Sequence, residues 1–220
     1  MAVKKTMKQG VIFEPQIPES LEPIKDLSSL LEDEVLVEST LVEDRVIDST
    51  TAHNTCFRQV VFRNVTFRNV DFERMDLQHV RFENCDLSNS HMTYLLAHNV
   101  VFDHCKMMGV DMNDGTFSNV RFITCTAKYA NFRYSEFKNV AFEQTIMNLS
   151  EFQSAKLVGV TFESCNLRES QMSGVRLKGI DLTTCDIEGI GLGLDEVSGA
   201  VVTSLQAVSL AHLMGVKVKE

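Results

Sequence analysis

An apolar residue recurs at every fifth position of this chain, without a break, over 28 consecutive positions from Phe57 to Leu192. Two residues before each of them stands a second residue, which is mostly small and often valine, cysteine or serine. A period of five fits neither the 3.6-residue period of an α-helix nor the two-residue period of a flat strand. A chain that turns a corner after every five residues satisfies it, with two side chains of each five pointing inward. The pattern therefore predicts a solenoid.

The number of sides follows from residues that return after twenty positions. Phenylalanine recurs at this interval from Phe62 to Phe162 and is followed by Leu182. Cysteine recurs in the second column at Cys85, Cys105, Cys125, Cys165 and Cys185, with Thr145 in the one vacant place. Four segments of five residues per turn make a square coil. We predict an all-β, quadrilateral parallel β-helix with seven coils over residues 57–192, which stack to a rod of roughly 30–35 Å.

The ends of such a rod need caps, because an open coil exposes unpaired backbone groups. Residues 1–34 form an N-terminal segment in which we expect residues 1–18 to be loosely ordered. The helical spacing of its apolar residues favours a short amphipathic capping helix formed around Leu21, Ile24, Leu27 and Leu31. Residues 35–56 continue the five-residue register in a degenerate form, with polar Arg45 and Thr50 in the inward second column.

Residues 193–220 are predicted to be a C-terminal cap and dimerisation module. Thr203 is a plausible N-cap for a helix over residues 204–214, and Gly215 a plausible stop. This helix is too apolar to bury all of its surface on one small cap. The surplus predicts a homodimer with twofold symmetry, whose interface contains Leu205, Val208, Leu210, Leu213 and Met214.

The sequence gives little sign of catalytic chemistry. It contains no CxxC pair, and its six histidines share no column and show no metal-ligand spacing. A P-loop, a GxSxG elbow, a GxGxxG turn and an HExxH helix are all absent. The stacked cysteines could be read as a redox or metal site, but a buried column of small side chains explains them as well. We therefore expect no enzyme, no cofactor and no metal.

The exposed charges of the repeats offer candidate partner-binding surfaces. The net charge is −9, mostly from residues 1–56, and no basic stripe for nucleic acid is evident. Within the repeats, two opposite faces are acidic. One carries Asp71, Asp111 and Glu151 in a column with Asp114 beside it, and the other carries Glu83, Asp103, Glu143 and Glu163. The alternative is that these carboxylates only keep the rod soluble. No signal peptide or membrane span is evident, so we expect a cytoplasmic protein with reduced thiols.

The five-residue pattern around Asn131-Phe132-Arg133 and Asn166-Leu167-Arg168 resembles the pentapeptide-repeat family. The stretch CTAKYANFRYSEFKNVAFEQT at 125–145 and the ending VSGAVVTSLQAVSLAHLMGVKV at 197–218 resemble the Qnr-type quinolone-resistance proteins of Gram-positive bacteria. The unbroken register leaves no room for the loops of Gram-negative Qnr proteins, which contribute to protection. In this respect the chain is similar to their loopless mycobacterial relative.

The resemblance implies a right-handed β-helix that dimerises through its C-termini and imitates duplex DNA in shape and charge. It implies binding to DNA gyrase, with topoisomerase IV as a second target, and protection of the enzyme from fluoroquinolones. Two other readings remain open on the sequence. One is a structural or adaptor solenoid with an unrelated protein partner, and the other is an immunity factor against a natural gyrase toxin.

Overall fold

The computed structural model describes residues 11–24, 27 and 30–219. It is a parallel β-solenoid with a short C-terminal helix, which confirms the predicted fold class. The strands are β1 Glu22–Pro23, β2 Leu36–Glu38, β3 Thr40–Glu43, β4 Val46–Asp48, β5 Cys56–Arg58, β6 Val61–Arg63, β7 Thr66–Arg68, β8 Asp76–Glu83, β9 Leu96–Asp103, β10 Thr116–Ile123, β11 Glu136–Glu143 and β12 Lys156–Glu163. The long strands β8 to β12 each span two adjacent faces, and isolated bridges pair the coils on the other two faces.

The coils stack in a strict twenty-residue register. Phe82 pairs with Phe102, Phe102 with Phe122 and Phe122 with Phe142. The rings of this column are nearly parallel, with centroids 4.9 Å apart between Phe102 and Phe122 and 4.7 Å apart between Phe122 and Phe142. They are buried, as are almost all residues of both inward columns from Phe57 to Ile190. Residues twenty apart in the sequence therefore lie directly above one another, as predicted.

Nearly every corner of the square uses a residue with a left-handed backbone, two positions after the central apolar residue. Asparagine and glycine hold many of these corners, for example Asn64, Asn99 and Gly109. Both residue types accept positive φ at little cost. On the two faces without long strands the corner is closed by a turn hydrogen bond, as where Val110 N–H donates to the carbonyl of Met107 at 3.2 Å.

The N-terminal segment differs from its prediction. Part of the expected capping helix is instead strand β1, which pairs with Thr40 and Leu41 of β3. Leu27 and Leu31 are buried against the end of the core, while residues 25–26 and 28–29 lie outside the described part. Residues 11–18 were expected to be loosely ordered, but they lie along one face of the rod. Residues 1–10 are outside the described range.

The C-terminal helix and its two caps lie where the sequence predicts them. After the short helix α1, Leu194–Val197, helix α2 spans Ser204–Leu210 and continues as a 3₁₀ helix over Ala211–Met214. Thr203 caps α2, because its side chain accepts from Gln206 N–H at 3.2 Å and the Gln206 side chain accepts from Thr203 N–H at 2.8 Å. Gly215 ends the segment with φ of 72°. In the described part of the chain, no helix is long and apolar enough to cross a membrane.

Candidate partner-binding surfaces

The first acidic face, here called the Asp71 face, is built from isolated bridges between successive coils. These bridges join Asp71 to His91, His91 to Asp111, Asp111 to Asn131 and Asn131 to Glu151. The three carboxylates therefore form one straight column, as the sequence predicts, with His91 and Asn131 between them. Since coils are about 4.8 Å apart, neighbouring carboxylates of the column are separated by roughly 9.6 Å.

Polar neighbours hold Asp111 and Glu151 in place, whereas Oδ1 of Asp71 is buried between His53 and His91 without a hydrogen-bond partner among the described residues. Asn131 Nδ2 donates to Asp111 Oδ1 at 2.8 Å, and Arg133 pairs with Glu151 at 2.9 Å. Nδ1 of His91 lies 3.5 Å from Asp111, an ion pair only when the ring is protonated. The Asp71 side chain is 44% exposed. Asp114 is exposed beside the column at a left-handed corner. The column is thus an ordered, accessible row of negative charge.

All three tyrosines of the chain border the Asp71 face, which the sequence analysis missed. Tyr94, Tyr129 and Tyr134 occupy left-handed corners with φ between 57° and 60°. Their exposed fractions are 47%, 56% and 60%. A signal was present, because these corners otherwise favour asparagine or glycine, and an aromatic ring is a costly choice there. Exposed tyrosines are common at protein interfaces, since one ring offers a large contact area at a small cost in conformational entropy.

The second acidic face, here called the Glu83 face, also has its carboxylates in a column. Glu83 pairs with Asp103 across β8 and β9, and Glu143 with Glu163 across β11 and β12. Ile123 separates the two pairs. On this face, arginines pair with two of the four carboxylates, Glu83 and Glu143.

Each of these two pairs is close. Arg63 donates to Glu83 at 2.8 Å, and Nε and Nη2 of Arg121 each donate to Glu143 at 3.0 Å. The hydrogen bond to Glu143, which outweighs desolvation, raises the pKa of Arg121 above its ordinary value, and Glu14 adds to the effect. His104 contacts Asp103 at 2.6 Å. The Glu83 face is therefore less available than the charge count of its residues indicates.

The cysteine column is a row of buried hydrogen-bond donors. The thiol of Cys125 donates to the carbonyl of Phe102 at 3.3 Å, and the same contact recurs at each cysteine of the column. Thr145 makes it with a hydroxyl, at 3.2 Å from the carbonyl of Phe122. Hydrogen bonds with the neighbouring thiols raise the pKa of Cys105 well above its ordinary value, and burial of the thiol adds a smaller increase. The burial of all five thiols favours a structural role for the column.

The predicted C-terminal interface is only partly exposed. Leu205 is 78% exposed, Val208 48% and Met214 61%. Leu210 is half-buried because it packs against the core of its own chain, and Leu213 is also half-buried. The surface that a second copy could cover is therefore smaller than the sequence suggests and centres on Leu205, Val208 and Met214.

Enclosed sites are scarce in the described part of the chain. An open groove of about 280 Å³ lies on the Glu83 face, between Ile12 of the N-terminal segment and residues that include Arg121, Ala141 and Thr161. No cluster of three or more potential metal ligands is found among the described residues. The accessible chemistry thus lies on the outer faces.

Two protein-family models match the repeats of this chain. A model described as a pentapeptide repeat region matches residues 75–152, 95–172 and 130–192, and a second, described as pentapeptide repeats, matches residues 55–93. A search of curated protein sequences finds no match.

One similar solved structure is a trypsin-treated variant of QnrB1, described as a plasmid-mediated fluoroquinolone resistance protein. It is 14% identical to this chain with a TM-score of 0.42, and the match covers 86% of this chain and 99% of that one. Full-length QnrB1 is 14% identical with a TM-score of 0.34, over 80% of this chain and all of its own. HetL from the cyanobacterium Nostoc sp. strain PCC 7120, a pentapeptide repeat protein involved in heterocyst differentiation regulation, is 12% identical with a TM-score of 0.26, over 78% and 91%. At these identities the likeness concerns the fold alone. The family models cover more than half of the chain and coincide with its coils, so the protein belongs to the pentapeptide-repeat family.

Proposed function

We propose that this protein is a dimeric DNA mimic that acts by binding rather than catalysis. Its target is DNA gyrase, with topoisomerase IV as a second target, and its effect is to protect the enzyme from fluoroquinolones. It acts in the cytoplasm, where these enzymes work on DNA. The proposal combines the outer charge of the rod with the resemblance to Qnr-type proteins carried by residues 125–145 and 197–218.

The observation that carries the proposal is the straight carboxylate column of the Asp71 face. A groove that binds duplex DNA is lined with cations placed to contact phosphates. A rigid rod with carboxylates in a row can occupy such a groove, because its charges need no reordering on binding. Asp71, Asp111 and Glu151 meet this requirement, and the tyrosines beside them add apolar contact area.

The first test measures gyrase supercoiling with ciprofloxacin, with and without the purified protein. We expect supercoiling to be retained at ciprofloxacin concentrations that otherwise abolish it. The absence of both protection and inhibition at micromolar protein would contradict the proposed function.

The second test reverses the charge of the column. The triple variant Asp71→Lys, Asp111→Lys and Glu151→Lys should bind gyrase about tenfold more weakly or worse, because its cations would face the cations of the enzyme. The matched control, Asp86→Lys with Asp186→Lys and Glu188→Lys, makes the same charge change on another face and should bind like the wild type. Equal binding by the wild type and the Asp71 triple variant would remove this face from the mechanism.

Two alternatives share parts of this surface. An immunity factor against a natural gyrase toxin would use the same docking face, and the supercoiling assay with toxin in place of drug separates the two roles. An adaptor solenoid would bind an unrelated protein through its faces. Recovery of such a partner in a pull-down, with no gyrase, would favour the adaptor.

A further inference from the structure

Residues 11–17, here called the strap, lie along the Glu83 face across several coils. Glu14 bridges Arg81 at 3.0 Å and Arg121 at 2.5 Å, two arginines that stand two coils apart in one column. The backbone N–H of Gln16 donates to Nδ1 of His79 at 3.1 Å, and Gln59 donates to the Gln16 carbonyl at 3.2 Å. The strap therefore runs along the rod axis and binds in an extended conformation.

The surface beneath the strap is apolar in a way that no other face repeats. Val61, Val101 and Ala141 point outward, yet they are only 6%, 1% and 5% exposed. On the neighbouring face the equivalent positions, for example Leu96 and Glu136, are exposed. Arg81 and Arg121 stand between the three buried residues. The strip beneath the strap thus alternates apolar side chains with cations.

The strap itself is held weakly. None of its side chains is fully buried, and Val11 and Phe13 are 73% and 62% exposed. Its ion pairs involve a Glu14 side chain that is 51% exposed, and such pairs contribute little and weaken with salt. A segment with few buried contacts opens at low free-energy cost. The strip is therefore covered most of the time but can be uncovered easily.

We propose that this strip is a second docking surface, which takes an extended acidic segment of a partner protein, and that the strap is its built-in competitor. We expect the partner segment to resemble the strap in chemistry. It would carry one carboxylate that bridges Arg81 and Arg121, with apolar residues on both sides. This inference goes beyond the proposed function and does not depend on gyrase binding.

The test uses the full chain and a fluorescent peptide with the sequence of residues 11–18. The variant Glu14→Lys places a cation against two arginines and should release the strap, so that it binds the peptide at least tenfold more tightly than the wild type. A peptide with glutamine in place of Glu14 should lose most of this affinity. The control variant Glu19→Lys makes the same charge change just outside the strap and should bind the peptide like the wild type.

A second measurement reports strap release directly. Chymotrypsin should cleave after Phe13 faster in Glu14→Lys than in the wild type, while an unchanged melting temperature shows that the rod is intact. Equal cleavage rates would refute a strap held by Glu14, and equal peptide affinities would refute the docking surface. If straps exchange between two copies, cross-linked mixtures of isotopically light and heavy wild-type chains will show strap contacts between chains, an outcome that would also overturn the proposal.

Discussion

At the residue scale, a few side-chain types are repeated because each satisfies one local requirement of the coil. Left-handed corners favour asparagine and glycine, and inward second-column places favour small side chains. In the column of Cys125, the small side chain also donates to the carbonyl of the phenylalanine 23 residues earlier. Thr145 fits this column because its hydroxyl reaches the same carbonyl position. Cysteine and threonine are therefore equivalent here as donors.

This equivalence predicts the outcome of two substitutions at Thr145. Replacement by valine keeps the shape but removes the donor to Phe122, and should lower the free energy of unfolding by about 1 kcal/mol. Replacement by cysteine should lower it by less, because the thiol can make the contact seen at Cys125. Denaturant unfolding of both variants measures the difference. Equal losses would show that a thiol does not replace the hydroxyl as a donor at this position.

At the element scale, the sequence predicts the coils better than the two ends. The five-residue and twenty-residue periods report inward positions directly, so Phe62, Cys85 and their columns could be placed before any coordinates. For residues 21–31, the spacing of the apolar residues is the only signal that favours a capping helix. The edge of the first coil offers unpaired backbone groups, and Glu22–Pro23 pairs with β3 instead. The strap could not be foreseen, because its contacts with Arg81 and Arg121 span more than sixty positions of the chain.

Helix α2 carries a prediction about assembly. Leu205 and Val208 are exposed and apolar, and we expect them to pack against a second copy. The double variant Leu205→Asp and Val208→Asp should halve the mass measured by light scattering, since it would bury four carboxylates in a twofold interface. The variant Leu210→Ala should instead lower the stability, because Leu210 packs against its own core. A mass that stays the same in the double variant would exclude this interface.

At the scale of the whole molecule, the proposed DNA mimic carries a sparse negative charge. A duplex as long as seven coils, about 34 Å, carries roughly 20 negative charges and a condensed layer of counterions. The whole chain has a net charge of −9. In the proposed complex with gyrase, shape and rigidity must therefore supply more of the affinity than charge does.

This comparison predicts a salt dependence. The affinity of the protein for gyrase should fall with salt, but less steeply than that of duplex DNA for the same enzyme, because sparse carboxylates release few counterions. Titrations at several salt concentrations give both slopes. The Asp71 triple variant serves as the control and should show the shallowest slope. An affinity that does not change with salt would contradict a docking face built on carboxylates.

The twenty-residue register has a consequence for length. Every coil presents the same backbone donors and acceptors to the coils above and below it. A tandem duplication of residues 116–135 would therefore insert one extra coil without disturbing the coils on either side. The rod would grow by about 4.8 Å. Asp111 and Glu151 would stay on the Asp71 face, and the distance between them would increase by the same amount. The length of the rod along an elongated binding site can thus change in steps of one coil, without any change to the cap at either end.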